Sequence, residues 1–203
     1  MNYSNDSSNF QSRFLTGMFL VAMPGLMDQR FDRAVIYLCA HSDDGAMGII
    51  INKPAEDIVF PELLQQLEII PEKPSISLPS QAGNMKVLRG GPVETSRGFV
   101  LHSVPVEPIE GSVTAGDEIR LSATIDILKA IARGQGPDEA IFALGYAGWA
   151  SGQLESEIQD NGWMICPLDR KILFDQEFDS KYVRALGSLG IDPAMLSPLA
   201  GHA

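Results

Sequence analysis

Two apolar, β-rich runs at 34–40 and 46–52, joined by the polar segment His41-Ser42-Asp43-Asp44-Gly45, restrict the fold more than any other feature of the chain. Their Val- and Ile-rich composition suits strands, and the Asp-Gly end of the connection supplies the positive φ that a tight turn needs. An antiparallel hairpin follows. A hairpin alone is marginal in water, so the rest of the chain must cover it. The apolar stretch 14–23 reads as a further buried strand. It is about half the roughly 20 residues of a membrane span, no cationic segment precedes it, and Pro24-Gly25 ends it without a small-residue cleavage pattern. Residues 1–13, rich in Asn and Ser, read as a disordered tail.

Beyond the hairpin, strands and helices interleave without repeats or an obvious linker. Phe60, Leu63, Leu64 and Leu67 recur at helical spacing, with Pro61 tolerated in the first turn. A second hairpin is expected from 85–89 and 98–103 around Gly90-Gly91-Pro92. Prolines and glycines make 104–116 a loop, and 119–121 a brief strand. Ile125, Leu128 and Ala132 then share a helix face, with Ser122 or Thr124 as cap and Gly134 past the end. Residues 140–146 are apolar on both faces, as in a central strand covered on both sides. Leu154 and Ile158 mark a short helix closed by Asn161-Gly162, 163–166 form a strand ended by Pro167, and Tyr182, Leu186 and Leu189 stripe a last helix opened by Asp179 or Ser180 and stopped by Gly190. With 203 residues, the expectation is one α+β domain over 14–203, with a mixed, largely antiparallel sheet flanked by helices.

Charge narrows the function. Twenty-six Asp and Glu against fifteen Lys and Arg leave a net charge of −11, which repels nucleic-acid phosphates and anionic lipid. Direct DNA contact and membrane association are therefore disfavoured. Two cysteines outside any CxxC spacing point to a reducing, cytoplasmic compartment.

Motifs that resemble catalytic signatures fail on chemistry. In 45–53 (GAMGIIINK) three isoleucines follow Gly48, where a phosphate loop needs Lys and a hydroxyl residue. Asn52-Lys53-Pro54-Ala55 lacks the carboxylate that reads guanine. Gly148-Trp149-Ala150-Ser151-Gly152 misses the nucleophile-elbow spacing by one position, so Ser151 reads as a helix N-cap. The three histidines lie outside ligand spacing of one another, and neither a metal nor a cofactor is expected. Cys39 and His41 stand two apart on a strand, which puts them on one face and could activate a thiolate. Core packing is the commoner fate of such a cysteine, and of Cys166. Glu155, Glu157 and Asp160 read as the solvated face of their helix.

Polar residues and glycines recur where buried strands end: His41, Asn52, Lys53, Arg89, Gly90, Gly91 and His102. Strand-end loops are favoured places for function, and these seven are the candidate ligand-binding residues. If both hairpins belong to one sheet, their polar ends meet on one surface. Simple pairing of 34–40 with 46–52, however, puts His41 at the turn and Asn52 at the open end, which splits the set. Alternatively Asn52 and Arg89 satisfy turn backbone and a carboxylate such as Glu94.

The segments 20–24 (LVAMP), 31–41 (FDRAVIYLCAH), 45–54 (GAMGIIINKP), 90–93 with 98–102 (GGPV, GFVLH), 145–157 (GYAGWASGQLESE) and Gly201-His202-Ala203 together resemble the YqgE/AlgH family of bacterial proteins, from about Leu15 to the C-terminus. The resemblance implies a small cytosolic protein of uncertain biochemical function with curved sheets flanked by helices. Some members are described as transcriptional regulators. It implies no catalytic residues. The leading expectation is a non-enzymatic binding or regulatory protein with a small-molecule or protein partner. The alternatives are an enzyme, a hydrolase or a thiol-dependent one, that uses His41 or His102 with Cys39, and thirdly a direct DNA-binding regulator.

Overall fold

The early apolar runs become β1 (Phe19–Ala22), β2 (Val35–Ser42) and β3 (Gly45–Ile50) of a computed structural model that describes residues 14–71, 78–104 and 110–196. The tail expected over 1–13 and the segment Gly201-His202-Ala203 lie outside the described residues. β2 and β3 form the expected hairpin, from Ile36 opposite Ile50 to Ser42 opposite Gly45, with Gly45 at φ 133°. β1 lies antiparallel against β2 on its other side. There follow β4 (Pro54–Val59), α1 (Phe60–Gln66), α2 (Ser80–Asn84), β5 (Lys86–Arg89), β6 (Val93–Ser103), β7 (Val113–Thr114) and β8 (Ile119–Ser122). The chain continues through α3 (Ile125–Ala132), β9 (Ala140–Ala150), α4 (Gln153–Gln159), β10 (Trp163–Cys166), α5 (Arg170–Phe174) and α6 (Phe178–Ser188).

The strands join one curled sheet in the order β10-β1-β2-β3-β9-β6-β8-β7, with β5 and then β4 branching from β9. Every pairing is antiparallel except β5 with β9. β9 is the hub. One of its edges carries β6, and the other carries β5 along Phe142–Leu144 and then β3 along Ala147–Ala150.

This arrangement corrects the second hairpin, because β5 and β6 do not pair with each other. They flank β9, and Gly90-Gly91-Pro92 crosses its backbone instead of turning back. A Cβ at Gly90 would collide with the Gly145 carbonyl, and one at Gly91 with the Tyr146 peptide. Gly90 also joins two strands, donating its N–H to Leu144 O and accepting from Ile50 N, both at 2.8 Å. A β5–β6 hairpin would have left β9, apolar on both faces, with an unpaired edge.

Three apolar layers result. The curl encloses Phe19, Tyr37, Leu88, Leu101, Ile141 and Leu173. The outer face near β5 and β6 is covered by α1 and α3 through Phe60, Leu64, Ile127, Leu128 and Ile131. The outer face of β1–β3 is covered by α4 around Ile36, Leu38, Trp149, Leu154 and Trp163. Each such side chain, fully buried, contributes about 1.5–3 kcal/mol. On α3 Leu128 meets the sheet as expected, but Ile125 in the first turn is half exposed and Ile127 and Ile131 form the rest of the buried face.

Lys181 on α6 is fully buried. Its Nζ donates to Ile172 O at 2.5 Å and Leu173 O at 2.9 Å, capping the C-terminus of α5, and lies 3.6 Å from Asp175 Oδ1. Desolvation lowers its pKa to about 8, against the partial support of Asp175. The unfolded chain, with the ordinary value of 10.5, therefore binds the proton more tightly, and stability rises with pH between those two values. Urea unfolding of wild type and Lys181→Met across pH 8–10.5 should show the difference moving toward wild type by up to about 3 kcal/mol. A pH-independent difference would contradict this.

Candidate functional site

The seven candidate residues separate into three places. His41 is at the turn of the β2–β3 hairpin, opposite Ala46, while Asn52 lies beyond the open end. Its Nδ1 accepts from the Leu15 N–H at 3.0 Å, so the ring proton is on Nε2, which donates to Glu155 Oε1 at 2.9 Å. Phe14 packs edge-on against the ring. His41 thus fastens the segment before β1 and α4 to the sheet.

Cys39 and His41 do not share a face. A bulge between Leu38 and Ala40 places two β2 residues against one of β3, which inverts the strand's alternation beyond it. Cys39 faces the enclosed core with Tyr37, whereas His41 lies under α4. Burial raises the Cys39 thiol well above its ordinary pKa, so the thiolate mechanism loses both its nucleophile and its base. In the native protein Cys39 should react with a thiol reagent at least about a hundredfold more slowly than in urea, as expected for a group that must open to react. Labelling near the unfolded rate would restore the thiol reading.

His102 lies at the opposite end of the sheet, paired with Ala140 and Arg120. It is fully buried, with Nδ1 2.8 Å from Ser103 O and Nε2 2.9 Å from Ser122 Oγ. Desolvation lowers its pKa, holding it neutral. Gly90 and Gly91 form the crossing over β9. Ser151 is not the α4 cap: Gly152 occupies that position at φ 72°, and Ser151 Oγ donates to Asp43 O.

Asn52, Lys53 and Arg89 do come together, since Arg89 N donates to Lys53 O at 2.8 Å. The Asn52 side chain accepts from Val35 N at 2.8 Å and donates to Arg33 O at 2.9 Å. Lys53 Nζ donates to Arg30 O at 3.1 Å. Arg89 pairs with Asp57 at 2.5 Å, and Glu94 pairs instead with Arg97. Asn52 and Lys53 are therefore fixing the β1–β2 loop, residues 23–34.

Other contacts fix the same loop. Asp28 caps the turn at Arg30 N and grips the Arg30 guanidinium. Arg33, held at φ 51°, lays its guanidinium 5.1 Å above the Tyr182 ring. That left-handed conformation is strained for a residue with a Cβ and persists because Asn52 and Tyr182 hold it on two sides. Phe31 packs on Trp149 and Trp163. Both indole N–H groups donate to one oxygen, Glu157 Oε2, at 2.9 and 2.6 Å. Glu157 is thus the floor of the loop, not part of a solvated face. The two tryptophans flanking α4 were the available signal, because buried indoles need acceptors.

The loop so fixed leaves Met27 95% exposed at its tip. Around its base stand Arg30, Arg33, Lys53 and Arg89. Asp28 and Asp57 neutralise Arg30 and Arg89. Among the described residues Arg33 and Lys53 have no ion pair, although Asp32 is next to Arg33 and Glu56 three residues from Lys53 in sequence. Also among the described residues, no three His, Cys, Asp or Glu side chains converge as a metal site would require, and no helix is long and apolar enough to cross a membrane.

A curled α+β sheet around a crossed central strand, with one pinned and charged loop, defines the structural class. The chain belongs to the AlgH-like family, whose model matches residues 19–194. It is 58% identical over 190 residues to a UPF0301 protein of Methylobacterium sp. (strain 4-46), covering 94% of this chain and 90% of that one. It is 59% identical over 191 residues to a UPF0301 protein of Rhodopseudomonas palustris (strain BisB18), with the same coverages, 94% and 90%. The solution structure of the AlgH protein from Pseudomonas aeruginosa matches with a TM-score of 0.74 at 38% identity over all of both chains. A crystal structure of a Corynebacterium diphtheriae protein shares the fold, with a TM-score of 0.66 at 17% identity over 100% of this chain and 95% of that one.

Proposed function

We propose that this chain is a non-enzymatic binding protein that engages an acidic segment of a protein partner through the Met27 loop, and so acts as a regulatory adaptor in the bacterial cytoplasm. The observation that carries the reading is the loop's construction. Asn52, Lys53, Asp28 and the Glu157–tryptophan floor hold a loop whose tip is a bare Met side chain. Holding an exposed apolar tip in one geometry lowers the ordering cost of binding, and an apolar anchor rimmed by charge is a common form of interface centre. In a chain of net charge −11, Arg33 and Lys53, without ion pairs at the base of the loop, select a partner of opposite sign. The free, buried thiols of Cys39 and Cys166 support a reducing compartment.

Poly-L-glutamate serves as an acidic probe, monitored by amide chemical shifts. The expected result is a saturable, salt-sensitive perturbation confined to residues 26–34, Lys53 and Arg89, reduced at least about fivefold in affinity by Arg33→Glu. Perturbations elsewhere, none at all, or tighter binding of duplex DNA at the same amides would overturn the reading.

A further inference from the structure

We propose that the cleft between the β4–β5 ribbon, α2 and the α5–α6 elbow is a second binding site, which takes an extended peptide carrying a carboxylate between apolar side chains. This site is independent of the Met27 loop. Three cavities follow one another along it, of about 470, 230 and 550 Å³. The first and second share Asn84, Met85, Lys86 and Gln176, and the second and third share Gln81, Phe174, Asp175 and Gln176. A run of contiguous, open cavities suits an elongated ligand better than a compact one.

The chemistry at the junction is specific. Asn84, Lys86 and Gln176 are exposed, and among the described residues their side chains make no hydrogen bond or ion pair. Each carboxamide offers one acceptor and two donors, the complement of a peptide group. Lys86 supplies the point charge that a carboxylate seeks. Apolar walls stand on both sides, Ile58 and Phe60 toward β4 and Phe174 and Phe178 toward the elbow. At the far end Arg170 is spent on Glu118 and Glu139 and Arg184 on Asp175, while Lys171 and Asp138, of opposite sign, also line the wall. Lys86 is the cation at the junction, with the Glu56 carboxylate further along the first cavity and Lys171 at the far end of the third.

The walls are rigid. Gln81 Nε2 donates to Pro137 O at 2.9 Å and ties α2 to the segment before β9. Buried Lys181 clamps the last carbonyls of α5 and so sets the elbow that carries Gln176. The β4–β5 ribbon that forms the near wall is bulged, pairing at Pro54 with Leu88 and at Val59 with Lys86 with a register shift between. Preformed walls with unpaired polar groups at their centre are what a peptide groove requires.

The probe is a random dodecapeptide library displayed on phage and selected against the full chain. One enriched peptide is then synthesised and its binding followed by fluorescence anisotropy. Enriched sequences should carry Asp or Glu flanked by apolar residues. Lys86→Met and Gln176→Ala should each weaken the peptide about tenfold, with unchanged thermal midpoints because both side chains are exposed and unpaired. Arg33→Glu should leave this affinity as it is, which separates the cleft from the loop. No enrichment, or an enriched peptide indifferent to both cleft variants, overturns the proposal.

Discussion

Gly91→Ala should destabilise the protein by about 3 kcal/mol or more, a large fraction of the about 5–15 kcal/mol that holds a domain folded. The added methyl would meet the carbonyl carbon and oxygen of Tyr146 and the Ala147 nitrogen, all backbone of β9. None can swing aside as a side-chain tip would. β9 is held on both edges, by β6 and by β3 with β5, so any retreat breaks ladder hydrogen bonds. Gly83→Ala is the control. Nothing lies within 4 Å of its added methyl, and it sits in α2, so a gain of up to about 1 kcal/mol is expected from helix propensity. Chemical denaturation of the two variants beside wild type decides the matter, and equal midpoints for Gly91→Ala and wild type would refute the crossing.

The second large effect is at Glu157. Replacement by Ala removes the acceptor for both Trp149 Nε1 and Trp163 Nε1 and leaves two buried indole donors unpaired. At about 1–3 kcal/mol for each unsatisfied buried group, a loss of roughly 3 kcal/mol is expected. The local consequence is more informative. Phe31 rests on these two rings, so amide exchange in residues 26–34 should accelerate more than in β6 or β8, and tryptophan fluorescence should shift. Glu157→Gln keeps one acceptor oxygen and should recover part of the stability. A variant as stable as wild type, with unchanged exchange in the loop, would show that the floor does not support it.

Much of the sheet could be read from local chemistry. The β2–β3 hairpin followed from an Asp-Gly turn between two apolar runs, and β9 from a segment apolar on both faces, although it runs on to Ala150. α4, β10 and α6 were bounded by their own stop residues. What failed was non-local. Strand pairing across β9 depends on which edges remain open after folding, and nothing within 85–103 distinguishes a turn over glycines from a crossing over glycines. The one-residue bulge at Cys39 is equally silent, yet it moves His41 to the other side of the sheet. β4, α2, β7 and α5 were missed because short, half-exposed elements carry little periodicity.

For the candidate site, the residue types were informative and their roles were not. Asn52, Lys53 and Arg89 do stand together, and two of them spend their side chains on the backbone of a loop that was not singled out. Met27 and Arg30 carry no motif, and Arg33 falls in the segment 31–41 without having been given a role. They become notable through an exposure, a strained φ and three side chains arriving from other elements.

The central claim, that a fixed loop presents Met27 to a partner, is tested most directly by placing a photo-crosslinking amino acid at position 27 in the living bacterium. Met195 is the matched control, an exposed methionine at 83% in a different part of the chain. The account predicts a discrete adduct from position 27, none from position 195, and loss of the adduct when Arg33→Glu is added. Adducts of equal intensity from both positions, or one at position 27 that survives Arg33→Glu, would contradict it.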